Sequence, residues 1–525
     1  MNELNVKQLV FTCALTLSAA AANAQENVVL TAIDGSISVQ GKLIEFVDQK
    51  YTIDTLAGTL TIDSSVVICS GEACPSIRPQ LSEFSVEGTG TLASGLVADL
   101  LPIYAQSLDG QVSGVNSEDA AAFTVADAQG QTLATISLVD SSSSAGLNSL
   151  IQGQAAIALT SRQISADELS EFEKNGEPFE SSKNEHVIGL DAITIVTAQD
   201  NPLDTISLRD AALIFSGAYS NWSELGGMDA PINLYGPPAD SELTDLFVAT
   251  VIESQGDDIS NLSQDMVTND DVAAVVADDP NGIGYTHFSK SRSAKTMAIE
   301  ELCGLTKPAN SFSIKSEEYP LTHRIYAYSE TQSGESQVDA LLGFLQSDVG
   351  QTIASSHNLV DQRGIKKAVS NQGLRFANAI NVGDTEKSHA LLRQLVSQVF
   401  YSDRLSTTFR FETGSNQMDQ RAKVDIIRLV EKLGSQDNSD TVVHLHGFTD
   451  SVGDFELNQE LSQRRADQVR DALVEVDAKL LDRIKIQSSG YGEIAPIACN
   501  ETALGRSINR RVEVWMGSAD TSSTQ

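Results

Sequence analysis

Helical and strand patterns alternate between residues 83 and 362, and this alternation limits the possible fold more than any other feature of the sequence. The segment "ASGLVADLLPIYAQSL" has the apolar spacing of a helix, whereas "VIGLDAITIVTA" and "PINLYG" are typical of buried strands. Alternating elements of this kind favour an α/β sheet with binding groups at the carboxyl ends of its strands. We therefore predict an α/β fold for the largest part of the chain.

The rest of the sequence divides into further modules, because 525 residues exceed what one hydrophobic core organises. Residues 1–24 have a lysine, a short apolar run and a small-residue ending, which predict a cleaved secretory signal peptide. Residues 25–82 are rich in β-branched residues with period-two stretches and predict a small all-β module. The sequence thus predicts an exported α/β multidomain protein.

The formal net charge is -36, from 71 acidic and 35 basic residues. Such a charge excludes attraction of nucleic acids or anionic membrane surfaces through the general field of the protein. We therefore predict no nucleic-acid partner, and any anion-binding site must be local.

Four cysteines remain once Cys13 leaves with the signal peptide, in a compartment where disulfides persist. In "CSGEAC", Cys69 and Cys74 can close a short loop, which predicts a disulfide between them. Two alternatives stay open for Cys303 and Cys499: an interdomain bridge or two separately buried thiols.

The C-terminal region, residues 402–517, again combines strand and helix patterns. Strands are predicted for "TTFRF", "TVVHLH", "RIKIQ" and "RRVEVWM", and helices for "DQRAKVDIIRLVEKLG" and "NQELSQRRADQVRDALVEV". Residues 363–401 are predicted to be a linker that ends in a helix, and residues 518–525 a disordered tail.

A charged residue interrupts the apolar stripe of the last of these helices. The apolar residues of the stripe lie at steps of four or eight: Leu457, Leu461, Val469 and Leu473. Arg465 takes the missing position, whereas its neighbour Arg464 is turned about 100° away toward solvent. Asp450 follows a strand directly, so the opposite charges of Asp450 and Arg465 can face one pocket.

Residues 402–517 resemble the OmpA-like peptidoglycan-binding domain through "TDSVGDFELNQELSQRRADQV" and "GYGEIAPIACNETALGRSINRRVEV". The resemblance implies recognition of the diaminopimelate side chain of the cell-wall peptide, whose free end is an amino acid zwitterion. Asp450 would bind its ammonium group and Arg465 its carboxylate. The other contacts that the resemblance implies are Asn458, Thr449 and Arg510.

Phe448 is a departure from this family, which usually reads "GHTD" where the chain has "GFTD". Because the substituted residue lies outside the charge pair, we expect binding to survive.

Hydroxyl-rich turns precede helices in "VEGTGTLASGLVADLLPIYAQ" and "SSSSAGLNSLIQGQAAIALTSRQIS", where backbone N–H groups and hydroxyls can hold an anion. Together with "LIFSGAYSNWSELGG", "NGIGYTHFS" and "EEYPLTHRIYAYSE", they make residues 83–362 resemble the periplasmic phosphate-binding proteins of ABC transporters. The resemblance implies two α/β lobes that close on a ligand by hinge motion. The anion contacts that it implies are Thr91, Leu92, Ser143, Arg162 and Ser241.

The part of this region that would form the second lobe departs from the family. Pro237 stands at the position of the family's arginine, and Glu242 and Leu243 replace a glycine and a threonine. A carboxylate near the anion opposes binding, and the missing arginine removes a bidentate donor. Two alternatives therefore stay open: a bound anion, phosphate or another, and a scaffold whose ligand has changed or been lost.

The sequence has no "GxSxG", "GxxxxGK" or "HExxH" motif and no cysteine pair at zinc spacing. His444 and His446 share one face of a strand without neighbours at ligand spacing, so we predict no metal site and no cofactor. We expect a non-enzymatic solute-binding protein that resides in the periplasm and is anchored to peptidoglycan. The alternative is a structural envelope protein whose lobes dock another protein.

Overall fold

The structure, a computed structural model, describes residues 27–518 apart from positions 33–37, 48–49, 56–57, 64–66, 72, 75–81, 118–119, 176–177, 257–266, 269–270, 331–335, 383–384, 412–413, 416 and 435–440. The signal peptide predicted for residues 1–24 and residues 519–525 of the predicted tail lie outside the described residues. Within the described ranges, no helix combines the length and the apolar character that crossing a membrane requires.

The N-terminal unit contains an antiparallel sheet, which confirms the predicted all-β module. Its strands are β1 (Asn27–Ala32), β2 (Ser38–Val47), β3 (Lys50–Thr55), β4 (Gly58–Asp63) and β5 (Val67–Ser70), in the order β4-β3-β2-β1-β5. Tyr51 and Ile53 alternate into the buried face of β3, as their period-two spacing predicts. Cys69 and Cys74 form the predicted disulfide at the end of β5.

The middle domain alternates strands and helices. Its strands are β6 (Ser82–Gly88), β7 (Gln111–Ser117), β8 (Ala120–Ala126), β9 (Thr132–Asp140), β10 (Ile157–Thr160), β11 (Glu185–Thr197), β12 (Thr205–Ser207), β13 (Asn233–Gly236), β14 (Val267–Thr268), β15 (Gly282–His287), β16 (Lys295–Thr296), β17 (Ala298–Glu300), β18 (Thr306–Lys307) and β19 (Thr322–Ser329). Its α-helices are α1 (Ala98–Ser107), α2 (Ser143–Ile151), α3 (Ala166–Asn175), α4 (Ser181–Asn184), α5 (Leu208–Phe215), α6 (Glu242–Phe247), α7 (Val272–Asp278), α8 (Ser311–Lys315), α9 (Gln337–Gln346) and α10 (Asp348–Ser356). A π-helical segment, Thr91–Val97, leads directly into α1.

Two long strands, β11 and β19, connect two lobes. Strand β11 pairs with β15 of the second lobe, β19 pairs with β10 of the first lobe, and β11 and β19 pair with each other. The first lobe has the strand order β10-β6-β9-β8-β7, and the second lobe contains β15, β13 and β14. The predicted two-lobed α/β fold is therefore confirmed.

Two large hydrophobic clusters form the core of the middle domain. In the first lobe, Leu100 and Leu101 of α1 are fully buried in one cluster with Ile136 of β9. In the second lobe, the Phe215 ring of α5 lies 4.9 Å from the Phe247 ring. Full burial of one such side chain stabilises a fold by about 1.5–3 kcal/mol, so both clusters contribute strongly to the stability of the domain.

The C-terminal domain is a sheet covered by helices. Its strands are β20 (Lys366–Ala368), β21 (Ser402–Arg410), β22 (Thr441–Gly447), β23 (Lys485–Gly490) and β24 (Arg511–Ser518), in the order β20-β21-β24-β22-β23 with β22 and β23 parallel. Its α-helices are α11 (Gly373–Val382), α12 (Glu386–Val399), α13 (Gln420–Gly434), α14 (Phe455–Val476), α15 (Leu480–Arg483) and α16 (Ala503–Asn509). The strands and the two long helices predicted for this region are confirmed.

Residues 363–401, predicted as a linker with one helix, contribute one strand and two helices to this domain. Strand β20 pairs with β21. Leu395 and Val399 of α12 are buried in a cluster with Phe448 and Trp515. The sequence of this segment is polar and mixed, so its few buried side chains gave only a weak helical pattern.

The predicted apolar stripe of α14 is correct only in its C-terminal half. Val469 and Leu473 are fully buried, but Leu457 is 63% exposed and Asn458 faces inward instead. A helix has 3.6 residues per turn, so a series with steps of four drifts around the helix by about 40° at each step. The drift carries Leu457 out of the buried face.

A disulfide between Cys303 and Cys499 joins the middle and C-terminal domains. Of the two alternatives left open by the sequence, the structure therefore has the interdomain bridge. Beside it, the Glu301 carboxylate accepts a hydrogen bond from the backbone N–H of Cys499 at 2.8 Å.

Buried ion pairs join the same two domains. Glu317 pairs with Arg324 of β19 at 2.5 Å and with Arg421 of α13 at 3.0 Å. Glu318 pairs with Arg404 of β21 at 2.5 Å. An unpaired buried charge costs several kcal/mol, so these groups are stable only while the two domains remain in contact. The C-terminal domain is thus docked on the middle domain rather than attached by a flexible tether.

Because His446 of β22 is buried, we expect the protein to lose stability in mild acid. Burial lowers its pKa to about 3, whereas an unfolded histidine titrates near pH 6.5. Below pH 6.5 the unfolded state binds a proton that the folded state does not, so unfolding becomes easier as the pH falls. We expect His446 to cost about 2 kcal/mol of stability at pH 5. Urea denaturation at pH 7 and pH 5 should therefore show a smaller pH dependence for His446→Leu than for the wild type, and equal dependences would refute this assignment.

Candidate functional site

Two glycines allow α14 to pack directly against the ends of β22 and β23. A Cβ atom at Gly447 would lie 2.0 Å from the carbonyl oxygen of Ser462, and one at Gly490 would lie 2.3 Å from the backbone nitrogen of Gln463. Only glycine permits so close a contact between α14 and the ends of β22 and β23. Asp450 lies three residues beyond Gly447, the last residue of β22. This packing therefore holds Asp450 near the helix that carries Arg465.

Arg465 is fully buried, and neighbouring groups fix its orientation. Its Nε and Nη2 donate to the carbonyl oxygen of Ser415 at 2.9 and 2.8 Å, and its guanidinium group lies 5.1 Å from the centre of the Phe411 ring. Burial and nearby Arg510 together lower the pKa of Arg465 to about 10, whereas Asp450 opposes this shift. Its guanidinium group is therefore held in one orientation beside Asp450 and Arg510.

Asp450 is also buried, and its carboxylate bonds with Arg510. Arg510 Nη1 donates to Asp450 Oδ2 at 2.9 Å, and Arg510 Nε donates to the carbonyl oxygen of Phe411 at 3.2 Å. Asp450 Oδ1 accepts from the backbone N–H of Val452 at 3.1 Å, which fixes the turn after Asp450. Arg510 thus lies in direct contact with the acidic residue of the predicted pair.

Asn458 and Thr449 complete the group predicted from the sequence. The Asn458 side-chain amide donates to the carbonyl oxygen of Val452 at 3.2 Å and to Glu493 Oε2 at 2.9 Å, so Asn458 holds the loop that carries Asp450. The Thr449 hydroxyl is buried and has no hydrogen-bond partner among the described residues. A buried hydroxyl without a partner is costly unless a ligand or water satisfies it.

The structure also adds residues that the sequence did not indicate. Phe411 and Ser415 hold the Arg465 guanidinium group, and Glu493 holds Asn458. Ser415 acts through its backbone carbonyl, which no side-chain pattern could reveal. An aromatic residue directly after a strand was the only sequence signal for Phe411.

The second candidate site is the cleft between the lobes of the middle domain. A cavity of about 320 Å³ opens there. Three of the predicted anion contacts, Thr91, Leu92 and Ser241, line it. The N–H of Leu92 donates to the carbonyl oxygen of Thr89 at 2.8 Å, and the Ser241 hydroxyl caps α6 through the N–H of Thr244, so both groups already have intramolecular partners.

Ser143 lies at the first turn of α2, but a side chain of the other lobe occupies its N–H. Oε1 of Glu242 accepts from the backbone N–H of Ser143, and Oε2 accepts from the Ser161 hydroxyl at 2.8 Å. Ser161, directly after β10, is a contact that the sequence did not indicate. The Glu242 carboxylate, which the sequence predicted near the anion contacts, therefore occupies the predicted anion site itself.

Arg162 is paired with an acidic residue of its own lobe. Its Nη1 and Nη2 donate to the two carboxylate oxygens of Glu168 at 2.8 and 2.7 Å, and Nη2 also donates to the Ser144 hydroxyl at 2.8 Å. The hydrogen bond from Arg162 lowers the pKa of Glu168 to about 2. The charge of Arg162 is thus balanced without a ligand.

Two family models match the chain. The model described as PBP superfamily domain matches residues 79–349, and the model described as OmpA family matches residues 410–510. Both are families of solute-binding or OmpA-type structural domains rather than of enzymes.

Relatives match each part separately. Outer membrane porin F of Pseudomonas aeruginosa is 38% identical over 110 residues, which cover 21% of this chain and 30% of that protein. Phosphate-binding protein PstS of Borreliella burgdorferi is 22% identical over 231 residues, which cover 43% of this chain and 77% of that protein. The chain thus spans only about a third of the length of the outer-membrane relative. These relatives indicate a location in the cell envelope or periplasm.

Among solved structures, an ABC-type phosphate transport receptor from Vibrio cholerae aligns with 19% identity and a TM-score of 0.41, over 53% of this chain and 99% of the receptor. With one family model matching more than half of its length, the chain belongs to the PBP superfamily, and it carries an OmpA family domain toward its C-terminal end.

Proposed function

We propose that the chain holds a two-lobed solute-binding domain at peptidoglycan, and that Asp450 and Arg465 bind the zwitterionic end of diaminopimelate. The observation that carries the proposal is the approach of Asp450, Arg510 and Arg465: Arg510 pairs with Asp450 at 2.9 Å, and both arginines contact Phe411. The buried hydroxyl of Thr449, the residue before Asp450, has no hydrogen-bond partner among the described residues. A ligand carboxylate would be a bidentate partner for the guanidinium group of Arg465.

The geometry supports a separate role for each residue. The Asp450 carboxylate would accept a hydrogen bond from the ligand ammonium group, while Arg510 remains bound to Asp450 Oδ2. Arg465 would bind the ligand carboxylate, and because Ser415 and Phe411 already fix its guanidinium group, binding would cost little side-chain entropy. Asn458 keeps the loop of Asp450 in place, and the Thr449 hydroxyl gains a partner.

Competition with small molecules tests whether the ligand is a zwitterion. We expect the full chain to sediment with purified diaminopimelate-containing peptidoglycan and to be released by free diaminopimelate. Two matched compounds each lack one kind of charged group. Pimelate has the carboxylates without the ammonium groups, and 1,5-diaminopentane has the ammonium groups without the carboxylates. Neither should release the chain, because each lacks one of the two groups that Asp450 and Arg465 would bind.

The outcome of this competition distinguishes recognition from general charge. Release by pimelate at the same concentration as diaminopimelate would mean that the site binds any carboxylate, and the zwitterion proposal would then be wrong. Failure of the chain to sediment at all would reject peptidoglycan attachment itself.

A second candidate function has its own support. The lobes could serve as a closed scaffold in the envelope that docks another protein and no longer carries a free anion. The position of Glu242 favours it, because the carboxylate of one lobe fills the hydroxyl-lined pocket of the other. The docked C-terminal domain, joined by the disulfide Cys303–Cys499, would further restrict movement of the lobes.

A further inference from the structure

A carboxylate of the second lobe bridges the cleft to the first lobe. Glu242 is the first residue of α6, and Ser143 is the first residue of α2. The Glu242 carboxylate accepts from the N–H of Ser143 with one oxygen and from the Ser161 hydroxyl with the other, the latter at 2.8 Å. These hydrogen bonds run from one lobe to the other.

The donors around this carboxylate form a preorganised oxyanion pocket. The Ser143 hydroxyl accepts a hydrogen bond from the N–H of Ser161 at 3.0 Å, so the two serines hold each other in position. Ser142 caps α2 by accepting from the N–H of Ala145, which leaves the N–H of Ser143 at the positive end of the helix dipole. Such donors bind carboxylate and phosphate oxygens alike.

A free oxyanion cannot share this pocket with Glu242. Arg162 of the first lobe has both terminal nitrogens of its guanidinium group on Glu168. A phosphate beside Glu242 would therefore bring two like charges together without a free guanidinium group of Arg162 to separate them. To bind at Ser143, phosphate must displace Glu242.

We infer that Glu242 is the specificity-determining residue of the cleft: it acts as a built-in ligand that holds the lobes together and excludes free phosphate and other small oxyanions. Once its carboxylate is removed, the same donors accept an oxyanion from solution. The inference concerns the cleft alone and does not depend on attachment to peptidoglycan.

Thermal denaturation of the full chain with increasing inorganic phosphate tests the inference. We expect no phosphate-dependent rise in the melting temperature of the wild type and a clear rise for Glu242→Ala. By calorimetry, phosphate should bind Glu242→Ala at least about tenfold more tightly than it binds the wild type. Asp245→Ala is the matched control, because Asp245 is an exposed acidic residue of the same helix. This control should behave like the wild type. Adding Ser161→Ala to Glu242→Ala should remove the gained response.

Two results would overturn the inference. One is a phosphate response of the wild type as large as that of Glu242→Ala, and the other is a folded Glu242→Ala protein without any response. Hydrogen exchange of the wild type gives an answer even if Glu242→Ala fails to fold. Protection of residues 142–147 should not change with phosphate, and a rise in protection would show that phosphate displaces Glu242.

Discussion

Arg465→Ala and Asp450→Asn should each abolish sedimentation of the chain with purified peptidoglycan. Each substitution removes one charge of a buried group and leaves the opposite charge of the ligand without a partner. Loss of one member of a buried, hydrogen-bonded charge pair costs about 2–5 kcal/mol, which weakens binding by more than about 30-fold. Sedimentation with a titrated amount of peptidoglycan measures this loss directly.

Arg464→Ala is the matched control for these variants. Its side chain is 60% exposed and lies 3.7 Å from Glu460, one helical turn away and outside the site. We expect sedimentation of this variant to be unchanged. Asp450→Asn keeps the size of the side chain, so its circular dichroism and melting temperature should show an intact fold. A loss from Arg464→Ala equal to that from Arg465→Ala would contradict the assignment of the binding face.

Glu513→Gln should strongly destabilise the C-terminal domain. Glu513 is fully buried among three arginines, with Arg511 at 2.7 Å, Arg375 at 2.8 Å and Arg404 at 3.4 Å. The three cations hold the pKa of Glu513 well below its usual value, although burial opposes this shift. Removing the carboxylate leaves buried guanidinium groups without compensation, and we expect a loss of about 3–5 kcal/mol in the free energy of unfolding.

Urea denaturation of the full chain measures this loss, and Glu460→Gln provides the control. Glu460 is 68% exposed in its pair with Arg464, and exposed ion pairs contribute little to stability. We expect the control to denature like the wild type. If the midpoint urea concentration of Glu513→Gln equals that of the wild type, the ion pairs of Glu513 with its three arginines do not stabilise the domain.

Local patterns predicted the fold well wherever the burial of a side chain followed from its own element. The strand β22 and the helices α13 and α14 are examples, and the three- and four-residue steps of α13 place Ala422, Ile426, Leu429 and Leu433 in the core. Leu457 of α14 shows the limit of the method, because the drift of the helix decides which residue faces inward. The buried arginine of α14 was visible as a break in the apolar pattern.

Contacts between distant segments were not predictable in the same way. The disulfide Cys303–Cys499 joins residues that are 196 positions apart, and the sequence contains nothing that chooses it over two buried thiols. Glu242 was recognised as unfavourable for an anion, but its hydrogen bonds to Ser143 and Ser161 depend on the approach of two lobes. These contacts arise from tertiary packing, which residue patterns do not encode locally.

Calorimetric titration of a soluble peptide that ends in diaminopimelate tests the central claim most directly. The peptide should bind the full chain with one-to-one stoichiometry, and the same peptide with its free diaminopimelate carboxylate amidated should not bind measurably, because Arg465 would lose its anionic partner. Equal binding of the amidated peptide would show that Arg465 does not recognise a carboxylate, and the proposed mode of attachment to peptidoglycan would be wrong.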